Sequence, residues 1–225
     1  MAKSLSKELK EECQNNRNYY LPKEKDYKIS FSKKSKYMKE WLEKNIHIFI
    51  KSKITEEDIK EVSKDKNCMK LRKNAIDLFN YANKHKIPII IISAGIEDII
   101  ENFLKANNLL NENVHIISNR LKYKDKKISG IKNKPVHSLN KSKIKYPNKI
   151  KKIINEKDKI ILLGDNIEDT LLTPKGKEKS TVKIGFLNKE EHRQNYQKSF
   201  DIILKDRSFK EVLNIVKNIQ IKKYP

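Results

Sequence analysis

Apolar positions follow two different rhythms along this chain. Up to about residue 66 they recur at three- and four-residue intervals within sequence rich in Lys, Glu and Asn. In KYMKEWLEKN, Tyr37 and Trp41 lie four apart, as do Met38 and Leu42, which predicts one apolar stripe on a short helix. Thr55 followed by Glu56, Glu57 and Asp58 predicts a second helix, capped by Thr55 and carrying acids in its first turn. Residues 1–66 therefore read as a small helical unit.

From residue 67 the rhythm alternates. MKLRKNAIDLFNYANKH places Ala75, Leu78 and Ala82 on one face, with Ile76 and Phe79 close by, and predicts a helix that stops before Pro88. Ile89–Ile92 is a run of four isoleucines, the pattern of a strand buried on both faces. Ser93-Ala94-Gly95 follows, and then a helix from about Ile96 to Asn107, whose Glu97 and Asp98 suit its positive end. Further strands are predicted at Val114–Ser118, Ile160–Leu163, Thr181–Leu187 and Asp201–Leu204. RLKYKDKKISGI reads as a polar surface hairpin. Helices are expected around Ser142–Asn155, broken or shifted by Pro147, near Glu190–Lys198, and in the closing SFKEVLNIVKNIQ. Strands alternating with helices imply parallel pairing through crossover helices, so residues 67–225 predict an α/β fold with an open, doubly wound parallel sheet.

Charge changes this picture less than its size suggests. Lys and Arg number 51 against 29 Asp and Glu, a formal charge of +22, and such an excess draws polyanions by counterion release. Only five of these cations are arginine (Arg17, Arg72, Arg120, Arg193 and Arg207), however, whereas recognition of bases and phosphates favours the guanidinium fork. The lysines are scattered from end to end, which disfavours a dedicated nucleic-acid binder and keeps it as an alternative. Cys13 and Cys68 stand far apart without a CxxC pair, so neither a disulfide framework nor a zinc knuckle is expected and a reducing cytosol fits. The opening MAKSLSKELKEEC has no apolar stretch for a secretory signal, and Ile87–Ile92 is far too short to span a bilayer.

The chemistry gathers where strands stop. Ligands of doubly wound sheets bind beyond the carboxyl ends of the strands, and two of these ends are polar: IIIISAG ends on Ser93, and IILLGDNIED ends on Asp165 with Asp169 four residues later. A strand-tip carboxylate beside a glycine suits an oxygen-preferring ion such as Mg2+. Asp165 and Ser93 could equally be helix N-caps, and two such tips in one sheet weaken both of those readings.

These blocks resemble the haloacid dehalogenase-like phosphatases, and within them the cytosolic pyrimidine 5'-nucleotidases. The resemblance runs through KNCMKLRKNAIDLFNYANKHKIPIIIISAGIEDIIE, VHIISNRLKY, HSLNKS, KIILLGDNIEDT, VKIGFLN and SFDIIL in order, and KYMKEWLEK extends it into the first segment. It implies a Rossmann-like parallel sheet with a small helical cap, a nucleoside monophosphate substrate of the CMP/UMP class, Mg2+ as cofactor, and a cytoplasmic enzyme without membrane association. By the same resemblance, the Ser93 hydroxyl and the Ala94 amide would donate to the substrate phosphoryl group. Lys141, in HSLNK, would neutralise charge on the phosphate. Asp165 would ligate the metal, and Asp169 would be a second acid orienting the lysine or a metal-bound water. Glu40 would match a base-contacting glutamate of the cap, although an i,i+4 pair with Lys36 or Lys44 explains it as well.

The resemblance also implies a first motif of the form DxDxT, carrying the aspartate nucleophile and the general acid/base, and no DxD occurs in this sequence. Without the strand that carries it, the strands ending at Ser93 and Asp165 would expose unpaired edges. A chain truncated at its N-terminus is therefore expected rather than a short pseudoenzyme, and little or no turnover is expected from the chain itself. A non-catalytic nucleotide- or phosphate-binding module is the alternative. Base preference and oligomeric state are left open by the sequence.

Overall fold

The computed structural model describes residues 6–26, 28–65, 69–205 and 208–221. The boundary drawn at 66/67, Cys68 and the first five residues of the opening segment lie outside them. Among the described residues the helices are α1 (Lys7–Lys25), α2 (Phe31–Lys51), α3 (Glu56–Lys64), α4 (Ala75–Lys84), α5 (Glu97–Ala106), α6 (Asn148–Asn155), α7 (Arg193–Ser199) and α8 (Lys210–Ile221). The strands are β1 (Ile89–Ile96), β2 (Val114–Asn119), β3 (Leu121–Lys124), β4 (Lys127–Ile131), β5 (Ile160–Gly164), β6 (Thr181–Phe186) and β7 (Ile202–Leu204). The chain forms two compact units, Met1–Lys70 with Ile90–Lys141 and Leu71–Ile89 with Ser142–Pro225.

In the first unit, α2 is far longer than the short helix expected around Tyr37 and Trp41, because the apolar stripe continues through Ile46 and Ile48, both buried. Thr55 caps α3 as predicted. Its Oγ1 accepts from the Asp58 amide at 3.1 Å, and the Asp58 carboxylate accepts from the Thr55 amide at 2.8 Å, a reciprocal box that satisfies two donors at the helix start. Ile46, Ile48, Ile54, Ile59, Leu121 and Ile128 form the core, each burial stabilising by about 1.5–3 kcal/mol. Two of these belong to the β3–β4 hairpin and correct the reading of that hairpin as a surface feature. Its outer face is polar, but Leu121 and Ile128 are 0% and 3% exposed. Asp125 and Lys126 turn it at φ 48° and 62°, the left-handed pair that matches the twist of the flanking strands.

The second unit is built on β5, β6 and β7, paired in parallel in that order, with Gly164 opposite Gly185 and Ile184 opposite Ile202. Ile184 is fully buried, and Leu78 of α4, Phe186 and Val212 of α8 pack as one cluster. Helix α4 begins six residues later than the pattern at Met69 suggested. Asn74 adopts φ 62° and ties its side chain to Asp77 at 2.8 Å and to the Ser208 hydroxyl at 2.9 Å, which leaves Arg72 in the connection before the helix. Pro147 shifts its helix as expected, and α6 starts directly after it.

Candidate phosphate and metal site

In the first unit β1 runs past Ser93 to Ile96 and meets α5 without a side-chain cap, so Ser93 is not an N-cap. Its Oγ accepts from the Gly95 amide at 3.0 Å. A hydroxyl has one donor and two acceptor sites, so this bond leaves the proton of Ser93 for another acceptor. The three carbonyls of Ser93, Ala94 and Gly95 are all held from β2. The Ser118 hydroxyl reaches Ser93 O at 3.0 Å and Gly95 O at 2.7 Å. The Asn119 Nδ2 donates to Ala94 O at 2.9 Å and Gly95 O at 3.0 Å. Ser118 and Asn119 are both 0% exposed.

The segment carrying Lys141 belongs to the same unit. Asn119 also donates from Nδ2 to Val136 O and accepts at Oδ1 from Val136 N, both at 2.8 Å. Beyond it, Asn140 accepts from the His137 amide at 2.8 Å and donates to Pro135 O at 2.9 Å, folding HSLN into a tight turn that delivers Lys141 at the start of a 3-10 turn. The His137 ring takes the Leu139 amide on Nδ1 and meets the Ser35 hydroxyl of α2 at 3.5 Å on Nε2, so the turn is anchored to the helical part of its own unit.

Glu40, also on α2, is half exposed and paired with Lys44 at 3.2 Å, the pairing weighed for it from sequence. The neighbouring Tyr20 phenol, and then Lys44, hold its carboxyl below the usual carboxylate range, while burial pushes the Tyr20 phenol up. The Tyr20 hydroxyl is enclosed but not aligned for a hydrogen bond with a described partner, and the same holds for Trp41 Nε1. The two rings stack, with centroids 6.0 Å apart and planes 16° from parallel.

In the second unit, β5 delivers Gly164-Asp165-Asn166. The cap position of the following turn belongs to Asn166, so the Asp165 carboxylate stays 53% exposed, with Arg72 Nη2 at 3.8 Å. The Arg72 guanidinium lies 4.5 Å above the Phe186 ring, and its Nη1 is buried with no hydrogen-bond partner among the described residues. Asp169 behaves differently: it is 5% exposed and its Oδ2 accepts from the amides of Asp165 and Asn166, each at 3.2 Å. The carboxylate is folded back over the strand end, so a Cβ on Gly164 would sit 2.6 Å from Asp169 Cβ. Tyr196 of α7 closes the loop from the other side, donating its phenol to Asp165 O. The two acids that follow β5 thus differ, Asp165 half exposed and Asp169 holding the loop amides.

Among the described residues no group of three or more His, Cys, Asp or Glu side chains forms a metal cluster. Mg2+ characteristically takes one or two protein carboxylates and completes its shell with water and phosphate oxygens, so the half-exposed Asp165 fits it as an oxygen donor.

Strands paired in parallel in the order β5-β6-β7, joined through helices, give the mixed α/β fold of the haloacid dehalogenase-like phosphatases. The chain belongs to the pyrimidine 5'-nucleotidase family (UMPH-1), a family of hydrolases, whose sequence model matches residues 1–220. The human 7-methylguanosine phosphate-specific 5'-nucleotidase is 32% identical over 218 residues, covering 95% of this chain and 72% of the relative. The crystal structure of cytosolic 5'-nucleotidase IIIB bound to cytidine superposes with a TM-score of 0.83 at 26% identity, over 97% of this chain and 76% of that one. A probable phosphoserine phosphatase from Vibrio cholerae shares the fold alone, with a TM-score of 0.62 at 12% identity over 97% of this chain and 64% of that one. Among the described residues no helix is long and apolar enough to cross a membrane.

Sequence reasoning missed Ser118, Asn119, Arg72 and Tyr196. Each acts through a partner at least 23 residues away in the chain, so local pattern held no sign of them. The one available signal was the polar SN that ends the VHII strand.

Proposed function

We propose that the protein is a Mg2+-dependent 5'-nucleotidase that hydrolyses nucleoside 5'-monophosphates, pyrimidine ones (CMP and UMP) foremost, to nucleoside and phosphate in the cytoplasm, and that the 225-residue chain itself binds them with little turnover. The observation that carries this reading is the family match over residues 1–220, and the cytidine in the related structure supports the pyrimidine preference. Each residue has a part suited to its surroundings. The Ser93 hydroxyl and the Ala94 amide donate to phosphoryl oxygens, Lys141 neutralises their charge, and Glu40 accepts from an amino group of the base. Asp165 would hold Mg2+, which when bound supplies further charge neutralisation, the main need of phosphoryl transfer. Asp169 keeps the Asp165 loop in shape through its amides. These are binding and positioning parts, and attack on phosphorus needs a nucleophile that the sequence, lacking DxD, does not contain on the family's pattern. Low turnover with retained binding is therefore part of the proposal.

The test is thermal stability and phosphate release with Mg2+ and each of CMP, UMP, GMP and 7-methylguanosine monophosphate. CMP and UMP should raise Tm, with kcat below that of the human relative by roughly six orders of magnitude, the scale of losing a nucleophile. No shift with any nucleotide would defeat the binding reading. A larger shift with the methylated purine would move the preference to that base, and robust CMP hydrolysis would defeat the low-turnover part.

A further inference from the structure

The structure assigns Ser118 and Asn119 as positioning residues: Ser118 orients the Ala94 amide, and Asn119 couples the Ser93-Ala94-Gly95 end of β1 to the segment leading to Lys141. As a device for phosphate binding this rests on the proposed nucleotide function. As a mechanical clamp it stands on the geometry.

Peptide units are planar and trans, and no cis bond occurs among the described residues. In a trans unit the C=O and the following N–H point in opposite directions. Ser118 draws the Ser93 carbonyl toward β2 at 3.0 Å, so the Ala94 N–H is turned to the opposite side, away from β2. The Ala94 carbonyl is drawn in turn by Asn119 at 2.9 Å, which fixes the next peptide plane, and the Gly95 N–H is taken by Ser93 Oγ. The two side chains thereby set the one amide of this loop that the Ser93 hydroxyl does not use.

The second half of the clamp is the pairing of Asn119 with both backbone groups of Val136, five residues before Lys141. Its primary amide, with two donors and an acceptor, is shared among Ala94, Gly95 and Val136, so a single side chain joins the loop to the lysine-bearing turn. Asn133 reinforces the joint by donating to Ser118 O at 2.9 Å, and Glu97 accepts the Ser118 amide at 3.3 Å. An aliphatic residue of similar size would remove these bonds from the Ala94 carbonyl and from both backbone groups of buried Val136, which explains an asparagine at a fully enclosed position.

Hydrogen exchange and ligand affinity on the full chain test this. In Asn119→Ala, amides of residues 93–96 and 136–141 should exchange faster together, by about tenfold or more. In Ser118→Ala only residues 93–96 should loosen. Asn119→Asp, which keeps the volume and the acceptor for Val136 N–H while losing the donors, should behave like Asn119→Ala near neutral pH and provides a folded variant if alanine does not fold. Affinity for CMP and for inorganic phosphate should fall by about tenfold while affinity for cytidine changes less than about twofold, because only the phosphate-binding loop is misplaced. Loosening of one segment alone in both Asn119 variants, or equal loss of cytidine and phosphate affinity, would overturn the assignment. If the unaltered chain binds neither CMP nor phosphate, the nucleotide reading fails, and the exchange pattern alone then decides the clamp.

Discussion

Gly164 and Asp169 are matched in shape. The strand needs an unsubstituted carbon at 164 because Asp169 folds over it to reach the amides of Asp165 and Asn166, leaving 2.6 Å where a Cβ would go. Gly164→Ala is therefore expected to lower stability by about 1–3 kcal/mol, the range of an overpacked site, in urea unfolding. Asp169→Gly removes both the obstructing Cβ and the loop-holding carboxylate, and should itself be destabilising. The double variant should be less destabilised than the two single losses added, and strict additivity would show that the two positions do not touch. The same contact explains why two acids four apart need not share a ligand: one of them is occupied by its own backbone.

Arg120 gives α5 much of its hold on the β2–β3 connection. Its guanidinium meets Glu97 and Glu101, each at 2.6 Å, while Asp98 accepts the Leu121 amide at 2.8 Å. Burial would push the Glu101 carboxyl up, but Lys105 and Arg120 outweigh it and the carboxyl ends below its ordinary value. A depressed folded-state pKa contributes stability that is complete above the unfolded value near ~4.3 and is lost as pH falls through the folded value. Denaturant stability should thus decline on acidification below about pH 4.3, and Arg120→Ala should flatten that decline. At neutral pH the same variant should cost about 1–2 kcal/mol, at the low end for charged hydrogen bonds because the guanidinium is partly exposed. An unchanged acid limb in the variant would assign the loss of stability to other carboxylates.

Across the whole molecule the +22 formal charge sets behaviour toward polyanions without identifying a partner. Duplex DNA should be retained at low salt and released as salt rises, with log K falling steeply against log salt, as for scattered phosphate contacts. CMP affinity should fall far less, since a monophosphate displaces few counterions. Sequence-selective DNA affinity that persists at physiological salt would restore the nucleic-acid alternative.

Much of the fold was legible in the chain because period and punctuation are local. The isoleucine run, the Thr55 cap, the Pro147 break and the position of Asp165 directly after a strand each follow from side-chain spacing and backbone restriction, whereas β1 continues past Ser93 to Ile96. Lengths were less legible. Helix α2 outran its aromatic stripe and α4 waited for Asn74, whose left-handed turn is secured by Ser208, 134 residues away in the chain. The sequence by itself determined which of these segments form strands and helices, since that depends on neighbours a few positions apart. Only the tertiary structure decided what each polar residue does there. The Tyr196 bond to Asp165 and the shared amide of Asn119 are contacts between remote segments. Burial makes such groups find partners, and the identity of those partners exists only once the chain has folded.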